Sequence, residues 1–172
     1  MSVYFISDLH LGHKNILNFS PNRYGDTPYE HDEYQISQIY STIGKKDVLY
    51  ILGDVAFEAK KLELLRPIRG RMILVRGNHD TYPLDLYREF FVDVLGFAKY
   101  KEFWLSHAPI HPEELRGKKN IHGHVHMMSI PDDRYINVCT DVLKDQCPIS
   151  LEQIRANIKP RFETEWEEVD VS

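Results

Sequence analysis

Cysteine is scarce in this chain: Cys139 and Cys147 are the two in 172 residues. They form no CxxC pair, which excludes a redox dithiol motif and a cysteine-built zinc site, and they read as free thiols in a reducing cytoplasm. Long apolar runs are missing too, so nothing is expected to span a bilayer. Met1-Ser2 leads directly into a strand pattern without the basic region of a signal peptide. A soluble cytoplasmic protein with no membrane partner is expected. Positive charge is also short: 21 Lys and Arg against 26 Asp and Glu, a net charge of -5. Proteins that grip nucleic-acid backbones usually carry a basic footprint, and single-strand binders add interleaved aromatics, so nucleic acid is not the expected partner. Repeats, linkers and low-complexity segments are absent. One domain over residues 1–172 follows, with an acidic tail at about 160–172 that is either pinned in part to the body by Trp166 and Val169 or frayed.

What is present is an ordinary globular composition, 42% hydrophobic and 27% charged, cut into short apolar runs. Strand-length runs fall at 2–7, 48–52, 71–76, 99–106, 119–122 and 134–139. Between them, Ile36, Ile39, Tyr40 and Ile43 predict a helix that Gly44 would end as a C′ glycine. Leu62, Leu65 and Ile68 predict a shorter helix, and Leu84 to Phe91 a third. Ser150 with Gln153 forms a capping-box pattern that opens a helix through Leu151, Ile154 and Ile158. Strands alternating with helices give an α/β class.

Five of the junctions after those runs end in metal-ligating residue types. They are Asp8-Leu9-His10, Gly53-Asp54, Gly77-Asn78-His79-Asp80, His107, and Gly123-His124-Val125-His126. A sheet can hold side chains from separate loops in fixed relation, so ligand types repeated at strand ends describe one assembled site. Carboxylates mixed with imidazoles suit Mn, Fe, Zn or Ni better than Mg or Ca. Asp8, His10, Asp54, Asn78, His107, His124 and His126 are too many ligands for one ion and enough for two that share a bridging carboxylate. Two divalent ions carry four positive charges, of which Asp8 and Asp54 offset only two. Such a centre acidifies bound water and clamps phosphoryl oxygens, which points to metal-assisted hydrolysis of a phosphoester.

This ordered set resembles the calcineurin-like metallophosphoesterase superfamily, from the first strand to about residue 142. The resemblance implies a four-layer αββα sandwich, two mixed sheets flanked by helices, with a dinuclear centre at the strand ends. It assigns Asp8, His10 and His126 to one metal and Asn78, His107 and His124 to the other, with Asp54 bridging. It makes His79 the catalytic residue beside the leaving-group oxygen, while a hydroxide held by the ions attacks phosphorus in line. Two divalent ions, Mn foremost and Fe, Zn or Ni as alternatives, would be the cofactors. The short domain resembles the small bacterial and phage-type phosphoesterases. The expected activity is a phosphodiesterase acting on a small phosphoester. A phosphomonoesterase or nucleotide phosphatase is the alternative within the superfamily, and a nuclease or a non-catalytic scaffold the alternatives in other classes. After Gly53-Asp54 the chain reads Val55-Ala56-Phe57-Glu58, without the Asp-Arg-Gly of the protein Ser/Thr phosphatases, so no carboxylate that would orient His79 is identified.

Beyond the ligand types, Arg23 is a candidate phosphate clamp, since a guanidinium holds two oxygens at once, and His13 a candidate substrate contact. Asp141 either accepts a hydrogen bond from a ligand imidazole or is a turn residue. His122 is expected to point away from the metals by strand alternation. His111 is expected near the mouth, and Met127 and Met128 either line the cleft or simply pack. Specificity is expected in the loops 20–34, 81–98, 109–118 and 127–134.

Overall fold

A computed structural model describes residues 1–156 of the chain. The expected acidic tail, Trp166, Val169 and Ile158 lie outside the described residues. Among the described residues nine strands form two sheets. The first contains β1 (Val3–Ile6), β2 (Val48–Ile51), β3 (Arg71–Val75), β4 (Asp93–Leu95) and β9 (Ile149–Ser150), in the order β4-β3-β2-β1-β9. Its first four strands run parallel and β9 runs antiparallel to β1. The second contains β5 (Ala98–Tyr100), β6 (Phe103–Leu105), β7 (Lys119–His122) and β8 (Tyr135–Asn137) in sequence order. There β5 is antiparallel to β6, and β6, β7 and β8 are parallel. Both sheets are therefore mixed. Phe5, Ile51 and Leu74 of one sheet and Phe103, Leu105 and Ile121 of the other belong to a single buried core. Helices α1 (Ile16–Phe19), α2 (Pro28–Thr42), α3 (Leu84–Arg88) and α4 (Leu151–Arg155) flank the sheets. This is the α/β arrangement of two mixed, helix-flanked sheets that the resemblance implies.

The chain departs from its apolar pattern in instructive places. The run 99–106 is two strands rather than one, because Lys101 turns at φ 52° and folds β5 back onto β6. The Leu62, Leu65 and Ile68 pattern yields a 3₁₀ helix, Ala59–Leu65, rather than an α-helix. Strands β4 and β9 are too short to show periodicity. Helix α2 starts eight residues before Ile36, opened by a capping box in which Thr27 and Glu30 satisfy each other's backbone N–H groups. It ends at Ile43 in extended backbone, and Gly44 has no left-handed φ. Ser150 and Gln153 do form their capping box. Three of the expected specificity loops hold regular structure: α2 begins inside 20–34, α3 and β4 lie inside 81–98, and a 3₁₀ helix, Pro112–Leu115, lies inside 109–118.

What matters for function is that parallel strands carry their carboxyl ends to the same side. The segments after β1 and β2 run on together, with Asp8 N–H donating to Gly53 O and His10 N–H to Asp54 O, each at 3.0 Å. Ser7 ties this edge to the second sheet: its N–H donates to Val138 O, and its own carbonyl accepts from Thr140 N–H, both at 2.9 Å. The segments that follow β1, β2 and β8 are thereby held side by side, and Gly123 N–H donating to His107 O at 2.8 Å does the same for those after β7 and β6.

Candidate metal centre

Backbone conformation sets the aim of the side chains. Among the described residues nine non-glycine positions have positive φ, and five are Asp8 (59°), His10 (52°), Asp54 (54°), His124 (73°) and His126 (52°). Left-handed backbone disfavours L-residues, so its concentration on these five marks a place where geometry is imposed by the surroundings. The turns sit just beyond strand ends and swing successive side chains inward. Glycines clear the space. Gly53 has φ 91°, and a Cβ there would stand 2.6 Å from both Gly77 Cα and His107 Nδ1. A Cβ on Gly123 would overlap Ser7 Oγ and Asp8 Oδ2. Asp80 locks the loops together by accepting from Asp54 N–H at 2.8 Å, Val55 N–H at 3.0 Å and Gly77 N–H at 2.8 Å.

Two groups of donor atoms result. In the first, Asp8, His10 and His126 bring one atom each within 4.8 Å of one another. Asp8 Oδ2 is saturated by Ser7 Oγ–H (2.6 Å), His124 N–H (2.8 Å) and Cys139 Sγ (3.1 Å). Asp8 Oδ1 and both ring nitrogens of His10, by contrast, are buried without a hydrogen-bond partner. Leaving such atoms bare is costly, and a cation is the partner whose chemistry suits a carboxylate oxygen facing an imidazole nitrogen. His126 Nδ1 lies 3.0 Å from Asp141 Oδ2, which leaves Nε2 to face Asp8 Oδ1 at 4.0 Å. Hydrogen bonding to Asp141 raises the His126 pKa.

In the second group Asp54, His107 and His124 converge within the same 4.8 Å limit. His107 Nδ1 donates to Leu52 O at 2.7 Å, so in the neutral ring Nε2 points inward as an acceptor. That nitrogen stands 2.9 Å from Asn78 Oδ1, 3.1 Å from His124 Nδ1 and 3.4 Å from Asp54 Oδ2. Acceptors gathered so closely repel unless a proton or metal ion lies among them. The same field acts on titration: burial opposes charge on His107, but Asp54 and Asp8 outweigh it and push its pKa up to about 9. Burial likewise works to raise the Asp8 pKa, yet His10, His107 and Ser7 hold it well below the usual carboxylate range. Asp54 Oδ2 lies between the two groups, 3.8 Å from His10 Nε2, while Asp54 Oδ1 accepts from His79 N–H at 2.9 Å. The donor set, four imidazoles and two carboxylates with an amide oxygen beside them, fits two divalent ions of the Mn, Fe, Zn or Ni type.

The remaining expectations divide. His13 is half-buried, and its Nδ1 accepts from Asn15 N–H at 3.1 Å, which places the proton of a neutral ring on Nε2. His79 is exposed at the rim, with its ring 5.9 Å from that of His10. Arg23 requires a correction: it is no phosphate clamp. Its guanidinium is fully buried, held by Asp141 through Nε (2.9 Å) and Nη2 (2.8 Å), by Asp8 O (2.8 Å) and by Leu9 O (3.1 Å). Every face of it is used behind the site. Asp141 stands against His126, the hydrogen-bonding one of its two sequence readings. His122 is buried and belongs to neither group, with Nδ1 at 2.9 Å from Gly123 O. His111 caps the short 3₁₀ helix Pro112–Leu115, and Met127 and Met128 are exposed. Phe57 went unnoticed in the sequence although it lies three residues after Asp54. Its ring meets His13 at 4.2 Å, His79 at 4.7 Å and His10 at 5.2 Å between centroids. Helix α2 went equally unnoticed as a brace: Asp32 accepts from Gly12 N–H, and Gln35 bonds Thr140 and Gln146.

The chain is 32% identical over 164 residues to an uncharacterized protein of Methanocaldococcus jannaschii, with 88% of each chain covered. It is 30% identical to the gene 66 protein of Mycobacterium phage L5, covering 73% of this chain and 77% of that one. Among solved structures, a protein of unknown function from Aquifex aeolicus superposes with a TM-score of 0.73 at 27% identity, over 90% of this chain and 98% of that one. The profile of the calcineurin-like phosphoesterases matches residues 1–164, and the chain belongs to that family.

Proposed function

We propose that the protein is a metal-dependent phosphodiesterase with a dinuclear centre, acting on a small phosphoester. Membership of the phosphoesterase family supports phosphoester hydrolysis as the reaction class. The observation that carries the site is the orphaned, buried Asp8 Oδ1 and His10 imidazole facing the acceptor cluster of Asp54, His107, His124 and Asn78. Asp8, His10 and His126 would hold one ion, Asn78, His107 and His124 the other, with Asp54 shared between them. Two such ions, Mn²⁺ foremost, supply Lewis-acid charge and a source of nucleophile at neutral pH.

The protein's own residues do the rest. His107 Nδ1 and His126 Nδ1 are tied to Leu52 O and Asp141, so both rings keep fixed orientations toward the ions. His13 presents its Nε2–H to a phosphoryl oxygen as a hydrogen-bond donor. His79, at the exposed rim, donates to or stabilises the leaving oxygen. A preference for diesters is in keeping with the open rim, where His79, His124, Met127 and Met128 are all exposed. Among the described residues no helix is long and apolar enough to cross a membrane, and both cysteines are free thiols, in keeping with a cytoplasmic setting.

The test is purified protein loaded with Mn²⁺ and offered bis-p-nitrophenyl phosphate and p-nitrophenyl phosphate, alongside metal analysis. Two ions per chain and faster turnover of the diester are expected. Clear preference for the monoester would sink the diesterase assignment. Stable protein that retains no metal would sink the dinuclear centre.

A further inference from the structure

His79 poses a positioning problem. Its backbone N–H is held by Asp54, but its imidazole forms no hydrogen bond or ion pair among the described residues. The neighbouring carboxylate, Asp80, is turned inward to three backbone N–H groups and is only 2% exposed. An exposed imidazole with nothing to fix it would sample several rotamers, and a displacement of about 1 Å at a reacting group can cost roughly a hundredfold in rate. What the imidazole does meet is the ring of Phe57, with centroids 4.7 Å apart and planes inclined at 35°.

Phe57 is itself firmly placed. Its N–H donates to Leu11 O at 2.9 Å, and its carbonyl accepts from Tyr82 Oη–H at 2.8 Å. The ring is half-buried against His13 and His10 as well, so it cannot swing away without uncovering three imidazoles. We propose that Phe57 is the positioning residue for His79: ring packing fixes the imidazole over the centre in place of a hydrogen-bonding carboxylate. This rests on the reading of the protein as a phosphohydrolase that uses His79.

The experiment compares wild type with Phe57→Ala, Phe57→Leu, Phe57→Tyr and His79→Ala, all loaded with metal. Phe57→Leu serves if the alanine variant fails to fold. With Phe57 as the positioning residue, losing the aromatic ring lowers kcat by roughly ten- to a hundredfold, while KM and ions bound per chain stay within about twofold. Phe57→Tyr, which keeps the ring, restores kcat, and His79→Ala sets the floor. A readout independent of activity is the His79 Cε1–H proton resonance of the zinc-loaded protein, assigned by its loss in His79→Ala. It moves in Phe57→Leu and returns in Phe57→Tyr. Unchanged kcat in Phe57→Leu, a rise in KM with kcat preserved, or a loss of bound metal would each overturn the proposal. If wild type itself hydrolyses no phosphoester, the phosphohydrolase reading fails, and the proton resonance still reports whether Phe57 holds His79.

Discussion

Arg23 and Asp141 form a buried ion pair with 0% side-chain exposure on either partner, and it joins site to scaffold. The guanidinium holds the carbonyls of Asp8 and Leu9 while the carboxylate holds His126. Burial works to raise the Asp141 pKa, but His126 and Arg23 overcome it and keep the carboxyl well below its usual range. A depressed carboxyl contributes stability that is complete above the unfolded pKa, about 3.9, and is lost as pH falls through the folded value. Arg23→Met would leave that carboxylate buried with His126 and Ser20 but without its cation. A loss of about 3–5 kcal/mol is expected at pH 7, measured by urea unfolding. The gap to wild type should narrow as pH falls below about 4, because the variant's Asp141 protonates first. A gap that stays constant with pH would show the loss to be packing alone. Sequence spacing could not find this pair, since 118 positions separate its members. An arginine just after a ligand motif looks the same whether it faces substrate or core.

Helix α2 shows what an element hides and reveals. Its apolar spacing from Ile36 to Ile43 was legible, but its start was not, because the first two turns bury polar residues. His31, Asp32 and Gln35 are all buried there, as counterparts of Leu9 O, Gly12 N–H and Thr140. A pattern search that looks for apolar periodicity reads such a face as surface. The capping box at Thr27 and Glu30 was the available signal. Thr27→Ala should cost about 1 kcal/mol and lower Tm by roughly 2–4 °C, with catalytic rates unchanged. A larger fall in activity than in Tm would mean that the helix start tunes the site through Asp32 and the Gly12 turn. The single run over 99–106 misled for the opposite reason: a two-residue reversal at Lys101 and Glu102 leaves no glycine, proline or asparagine in the sequence.

At the scale of the whole molecule, two sheets converge on a centre rich in acceptors, so stability and metal binding are coupled. Ions that bind only the folded chain raise Tm with concentration. Mn²⁺ should therefore raise Tm, and a chelator should return it. Since Asp54 and Asp8 push the His107 pKa up to about 9 despite burial, a proton occupies the site below that pH and metal must displace it. The gain in Tm at fixed Mn²⁺ should consequently be larger at pH 8 than at pH 6. Thermal melts with equal gains at both values would contradict this account of the second group.

The α/β class, the strand ends that carry ligand types and the family were all legible in residue order. Those features are local: strands announce themselves in short apolar runs, and the ligating residues follow directly in the chain. Which donors face one another, and which residues stand behind them, is set by the folded chain. The left-handed turns at Asp8, His10, Asp54, His124 and His126, the burial of Arg23 and the place of Phe57 all depend on neighbours far along the chain. Their physical cause is the parallel strands within the two sheets, which bring distant loops within hydrogen-bond reach while leaving no trace of that proximity in residue order.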